Sequence, residues 1–158
     1  MKSRLMVMGP TGAGKSTLLA ALGGSQEVAK KTESVVFTDS SVDTPGEAFD
    51  MPRLYFILIN SAVKSGLVLL VADATRPRFF PAGFTKVMKG PVIGVINKID
   101  VAGEAGIDLS RRALKVAGVK EVFAVSGKGG QGLEALKARI EEILGRCCAN
   151  ERRSARID

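Results

Sequence analysis

The chain has 158 residues, 46% hydrophobic and 25% charged, a balance that suits one soluble globular domain and leaves little room for a second. Its formal net charge is +7, but the positives are scattered, Tyr55 is the one tyrosine and tryptophan is absent, so the basic patch with stacking aromatics that marks nucleic-acid binding is missing. No apolar run reaches the ~18 residues that span a bilayer and the chain enters its first strand almost at once, so the expectation is a cytoplasmic protein without membrane insertion or a specific nucleic-acid partner.

The first strand is read at 4–8, from the apolar run Leu5-Met6-Val7-Met8. It leads into Gly9-Pro10-Thr11-Gly12-Ala13-Gly14-Lys15-Ser16, which fits the phosphate-binding pattern G-x-x-x-x-G-K-[ST] without mismatch. A helix over 14–22 follows, stopped by Gly23-Gly24. Glycines let the loop backbone wrap close to an anion, and the helix start aims successive N–H groups at it. Gly9 to Thr17 is therefore the expected phosphate site. Lys15 would bridge β- and γ-phosphate oxygens, and the Ser16 hydroxyl would be a ligand of Mg²⁺.

Residues 25–31 read as a polar connection. A second strand at 34–38 and a third at 41–43 are spaced as a hairpin, which predicts that the second runs antiparallel to its neighbour. Asp43-Thr44-Pro45-Gly46 closes the third strand: Asp43 can hold Mg²⁺ through a water, and the Gly46 N–H can meet a γ-phosphate. A helix over 53–64 carries Leu54, Ile57, Leu58 and Val63, and a fully apolar strand, as a central parallel strand must be, runs from Leu67 to Asp73. A loop with Pro77 and Pro81 leads to a short helix at 83–88, then a strand at 92–96. Asp108 is expected to cap a helix to 117 whose apolar face is Leu109, Ala113, Leu114 and Val116. The last strand is placed at 119–125 and the last helix at 133–144, with Leu133, Leu136, Ile140 and Ile143 inward. The domain is taken as 1–145 and residues 146–158 as a flexible basic tail, with Cys147-Cys148 as two reduced thiols. Strands alternating with helices give an α/β fold: a six-stranded, mostly parallel sheet with one antiparallel strand and helices on both faces.

Two further loops at strand ends choose the base. Asn97-Lys98-Ile99-Asp100 follows the fifth strand. Guanine offers N1–H and N2–H₂ as donors to one carboxylate, the role expected of Asp100, whereas adenine N1 is an acceptor and would be repelled. Asn97 would brace the loop and the Lys98 stem would lie along the base. After the last strand, Ser126-Gly127-Lys128 can offer a backbone N–H to guanine O6.

In this order the motifs resemble the small GTPase superfamily, which implies the three-layer, Ras-like fold of P-loop NTPases. That resemblance also implies that Thr32 supplies a hydroxyl to Mg²⁺ in a loop closing over GTP. Gly127 stands where the superfamily's Ser-Ala-Lys has alanine. Lys31-Thr32, Thr44-Pro45-Gly46-Glu47-Ala48-Phe49, Pro52-Arg53 and Pro81-Ala82-Gly83-Phe84 further resemble the EutP/PduV family, which is associated with bacterial ethanolamine- and propanediol-utilisation microcompartments. The resemblance implies a partner in such a shell or among its enzymes. One member has been linked to acetate kinase activity with ATP.

For hydrolysis, Lys15 and Mg²⁺ would compensate charge on GTP. Many GTPases place a glutamine just after the D-x-x-G glycine to position water, and here that residue is Glu47, which a triphosphate would repel. The chain has no histidine to serve as base. The expectation is slow, Mg²⁺-dependent turnover of GTP to GDP and phosphate. Phosphoryl transfer to a carboxylate such as acetate, and a nucleotide-binding scaffold without turnover, are the competing readings.

Overall fold

The structure, a computed structural model, describes residues 4–10, 12–23, 34–37, 58–60, 62–88 and 90–154. Five strands form one sheet: β1 (Arg4–Met8), β2 (Ser34–Phe37), β3 (Leu67–Asp73), β4 (Val92–Asn97) and β5 (Glu121–Ala124). Their order is β2-β1-β3-β4-β5, and every described pairing is parallel. Register brings Met8 opposite Leu70 and Asp73 opposite Asn97, so the carboxyl ends of β1, β3 and β4 share one edge. The strand order reverses between β1 and β3, and in open parallel sheets ligands bind at such a switch point.

Alternation along the strands makes two cores. Met6, Met8, Val68, Leu70 and Ala72 face a cluster with Leu58, Ala62, Phe84 and the helix α2 (Glu104–Ala117). Leu5, Val7, Leu67, Leu69 and Val71 face α1 (Lys15–Gly23) and α3 (Leu133–Ser154) through Leu18, Leu22, Leu136 and Ile140. Burial on both sides is why β3 is apolar at every position but its last. The layers are helix, sheet, helix, and among the described residues no helix is long and apolar enough to cross a membrane.

Ser34–Phe37 pairs in parallel with β1, Arg4 opposite Ser34, as a strand reached through a crossover containing α1 can do. The third strand expected at 41–43, and with it the antiparallel hairpin and the sixth strand of the sheet, lies outside the described residues. Three expectations change. Helix α2 begins at Glu104 with Gly103 as its N-cap, so Asp108 sits inside the helix rather than capping it. Its buried face is Ser110, Ala113, Leu114 and Ala117, while Leu109 and Val116 are 43% and 47% exposed. Small residues let the helix lie close on the sheet; a Cβ on Gly106, for instance, would collide with the Ala74 carbonyl oxygen. Helix α3 continues to Ser154, nine residues beyond Gly145, carrying Cys147 and Cys148 within it.

Candidate functional site

The glycine-rich loop is held by its shape against the sheet. Gly9 leaves β1 beside Val71, whose carbonyl oxygen occupies the space a Cβ on Gly9 would need. Gly12 and Gly14 have φ of 80° and 83°, the left-handed region that side chains resist. Helix α1 starts at Lys15, so the first N–H groups of that helix have no carbonyl within it to bond and open toward the loop. Lys15 is buried, and its Nζ donates to the carbonyls of Gly9 at 2.7 Å and Pro10 at 3.0 Å, across the mouth of the loop. Ser16 and Thr17 are exposed on the first turn, so the Ser16 hydroxyl is accessible to a cation beside the loop. Thr11 lies outside the described residues.

Asn97 joins three loops. It is 2% exposed; its Nδ2 donates to Ala13 O at 2.8 Å and Gly14 O at 3.4 Å, and its Oδ1 accepts the N–H of Lys98 at 2.9 Å and of Gly127 at 3.0 Å. A Cβ on Gly14 would come within 2.5 Å of that same Nδ2. Gly127 lies flat on α1: a Cβ there would be 3.3 Å from the backbone of Leu18, a tight contact that the glycine relieves. Ser126 is fully buried and its Oγ accepts the Gly129 N–H at 2.8 Å, folding the last loop into a turn.

Lys98 has φ of 64°, unusual for a side-chain-bearing residue. Its Nζ donates to Gly12 O at 2.5 Å and to Asp73 Oδ2 at 2.9 Å, so the stem crosses from the Asn97–Asp100 loop to the glycine-rich loop. Asp73 also accepts the Thr75 N–H at 2.8 Å and the Thr75 hydroxyl at 2.6 Å on Oδ1. Burial pushes the Asp73 carboxyl up, but the Thr75 and Lys98 hydrogen bonds and the Lys98 charge outweigh it and hold the group below its ordinary value. Sequence reasoning passed over Asp73 and Thr75. An acidic residue ending an apolar strand, with threonine two positions on, is the signal that marks a side chain turned back on its own backbone.

Gly14, Thr17, Asn97, Lys98, Asp100, Ser126, Gly127 and Lys128 line one cavity of about 510 Å³ at the carboxyl edge of the sheet. Asp100 and Lys128 stand exposed at its rim. The Gly127 N–H is engaged by Asn97, whereas among the described residues the Lys128 N–H has no hydrogen-bond acceptor. The structure thus gathers the start of α1, the Asn97–Asp100 loop and the Ser126–Lys128 turn. Thr32, Asp43, Gly46 and Glu47 lie outside the described residues.

A model of the PduV-EutP family, described as "Ethanolamine utilisation - propanediol utilisation", matches residues 1–142. The chain belongs to that family. It is 34% identical over 134 residues to the propanediol utilization protein PduV of Citrobacter freundii, covering 84% of this chain and 89% of that protein. It is 34% identical over 137 residues to the probable acetate kinase EutP of Escherichia coli K12, covering 84% and 86%. Among solved structures, the family member resembles the FeoB G-domain from Methanococcus jannaschii, with a TM-score of 0.53, 25% identity, and coverage of 92% of this chain and 99% of that one. It also resembles the elongation factor SelB from Methanococcus maripaludis in complex with the GTP analogue GppNHp, with a TM-score of 0.59, 25% identity and coverage of 91% of this chain. There it spans about a third (34%) of the longer chain. The fold is that of P-loop GTPases.

Proposed function

We propose that this chain binds GTP with Mg²⁺ and hydrolyses it slowly, as a nucleotide-dependent component of ethanolamine or propanediol utilisation. The observation that carries the proposal is the single cavity that joins Gly14 and Thr17 to Asn97, Lys98, Asp100 and the Ser126–Lys128 turn. The triphosphate lies along the Gly9–Thr17 loop amides, with Lys15 turning from the Gly9 and Pro10 carbonyls onto the β- and γ-oxygens. Asp100 accepts from guanine N1–H and N2–H₂, the Lys98 stem covers one face of the base, and the turn amide at Lys128 donates to O6. Mg²⁺ would be held by Ser16, Thr32 and, through a water, Asp43; when bound it neutralises charge on the phosphate oxygens. Gly46 would sense the γ-phosphate, and Glu47, at the sequence position where many GTPases carry a water-positioning glutamine, would make unassisted turnover slow. Acting in the cytoplasm, the protein would meet a partner in a microcompartment shell or among its enzymes.

Calorimetric titration of nucleotide-free protein with Mg-GTP and Mg-ATP tests this. Strong preference for GTP, lost in both Asp100→Ala and Lys15→Ala, is expected, with phosphate release below about 1 s⁻¹, in the range of unassisted switches. Equal or tighter binding of ATP would overturn the reading of the base loop.

The name "probable acetate kinase" borne by the Escherichia coli relative supports a second reading, ATP-dependent phosphoryl transfer to acetate. Acetate-dependent ADP formation would favour it. Tight nucleotide binding with no turnover under any condition would favour a scaffold.

A further inference from the structure

A second cavity, of about 600 Å³, opens at the opposite edge of the sheet, where β4 and β5 begin. Its volume falls in the range of about 300–1,000 Å³ usual for ligand clefts. Pro91, Val92 and Ile143 give it an apolar floor, and Lys86, Lys120, Arg139 and Arg146 stand around it. Gly118, with φ of 100°, keeps the wall between Lys86 and the floor low; a Cβ there would come within 2.7 Å of the Thr85 hydroxyl, which is already donating to Ala117 O.

The charges divide into a fixed set and an open set. The Arg139 guanidinium donates through Nε and Nη2 to Glu121 and through Nη1 to Glu142 at 2.7 Å, and Glu142 also accepts from Arg146 at 2.6 Å. These hydrogen bonds hold the Glu121 and Glu142 carboxyls below their ordinary values. Lys86 and Lys120, both exposed, have no ion-pair partner among the described residues. Among the described residues these four cations are set against two carboxylates, Glu121 in the lining and Glu142 behind Arg139 and Arg146, and the surplus positive charge sits on the two lysines at the rim.

We propose that this groove is a docking site for an extended acidic peptide of a partner protein, with an aliphatic side chain on the floor and carboxylates on Lys86 and Lys120. A small inorganic anion needs donors converging on one point, and here the guanidinium best suited to that is spent on Glu121 and Glu142. Separated rim cations over an apolar floor instead match a chain in which acidic and apolar side chains alternate. The groove lies at the amino ends of strands whose carboxyl ends carry the nucleotide cavity, so both can be filled at once.

The test is fluorescence anisotropy of fluorescein-labelled Glu-Leu-Glu-Glu-Leu-Glu against the full chain. Saturable binding is expected, weakened about tenfold by the double variant Lys86→Glu/Lys120→Glu. Arg76→Glu/Arg112→Glu, which makes the same charge change away from the groove, should leave it within about twofold. Replacing both leucines of the probe by glycine should weaken binding about tenfold through loss of the floor contact. No saturable binding, or equal weakening by the two double variants, overturns the proposal. So does displacement of the peptide by GTP, which would place it in the nucleotide cavity, or by millimolar inorganic phosphate, which would make the groove a small-anion site.

Discussion

Removing the Asn97 side chain should loosen three loops at once. Asn97→Ala deletes hydrogen bonds of 2.8, 2.9 and 3.0 Å and a weaker one of 3.4 Å. At about 1 kcal/mol net per good bond, with some return from water entering the gap, the loss is roughly 2–4 kcal/mol. Against a total of about 5–15 kcal/mol for a domain, that lowers the melting temperature by roughly 5–15 °C. Urea unfolding followed by circular dichroism gives the number, and GTP titration of the folded variant gives the loss of affinity. Asn97→Asp sharpens the case. It keeps shape and acceptor but turns an oxygen toward the carbonyls of Ala13 and Gly14, so its carboxyl is pushed up in the folded state. Its deficit should therefore be greatest at pH 7 and shrink as pH falls and the group takes up a proton. An Asn97→Ala loss under about 1 kcal/mol, or an Asn97→Asp pH profile parallel to that of the parent, would refute the view that this side chain clamps the loops.

Other expectations are independent of that one. Asp73→Asn keeps an acceptor for Thr75 but loses the charge facing Lys98, so about 1–2 kcal/mol should go at pH 7. Because the native Asp73 carboxyl lies below its ordinary value, its contribution is complete above the unfolded value of about 3.9 and disappears as pH falls through the folded one; acid unfolding curves of parent and variant should converge there. Gly12→Ala, with open space around it, should cost only the strain of its positive φ, about 1 kcal/mol, whereas Gly14→Ala adds a clash with Asn97 and should lose both stability and nucleotide, as denaturation and titration will show. Ser110→Ala should raise the melting temperature by about 2–4 °C, because the buried Ser110 hydroxyl has no hydrogen-bond partner among the described residues. Asp100→Asn should weaken GTP and favour xanthosine triphosphate, whose C2 carbonyl accepts where guanine donates; unchanged GTP affinity would contradict the role given to Asp100.

The parts of the site legible in the sequence are those in which chemistry demands contiguous residues. A loop that wraps a phosphate needs its glycines and its lysine at fixed spacing, so Gly9 to Ser16 stands out in the sequence as a candidate, as does Asn97 to Asp100, and the structure brings the two stretches together. The all-apolar run of β3 told of a strand covered on both faces. What escaped depends on which distant strands become neighbours. Asp73 meets Lys98 only because β3 and β4 pair with Asp73 opposite Asn97. In α2 two stripes share the helical period, and the larger residues Leu109 and Val116 make one of them the more apolar, yet close packing buries Ser110 and Ala117. The start of that helix was missed because Gly103 caps it without a side chain. The extension of α3 had a local signal in Glu142 and Arg146, four apart and paired, which carry the helix past Gly145.

The Ala13–Asn97 hydrogen bond joins residues 84 positions apart, and the Gly127–Asn97 bond adds another 30. Parallel pairings of this kind close long loops before any contact repays the lost chain freedom, which makes such topologies slow to fold. During synthesis the glycine-rich loop precedes its brace by some eighty residues, and the Ser126–Lys128 turn is made later still. A nascent chain therefore carries the motif long before it has the clamp, and GTP cannot act as a template for early folding. Its stabilising effect falls on the finished domain, by mass action.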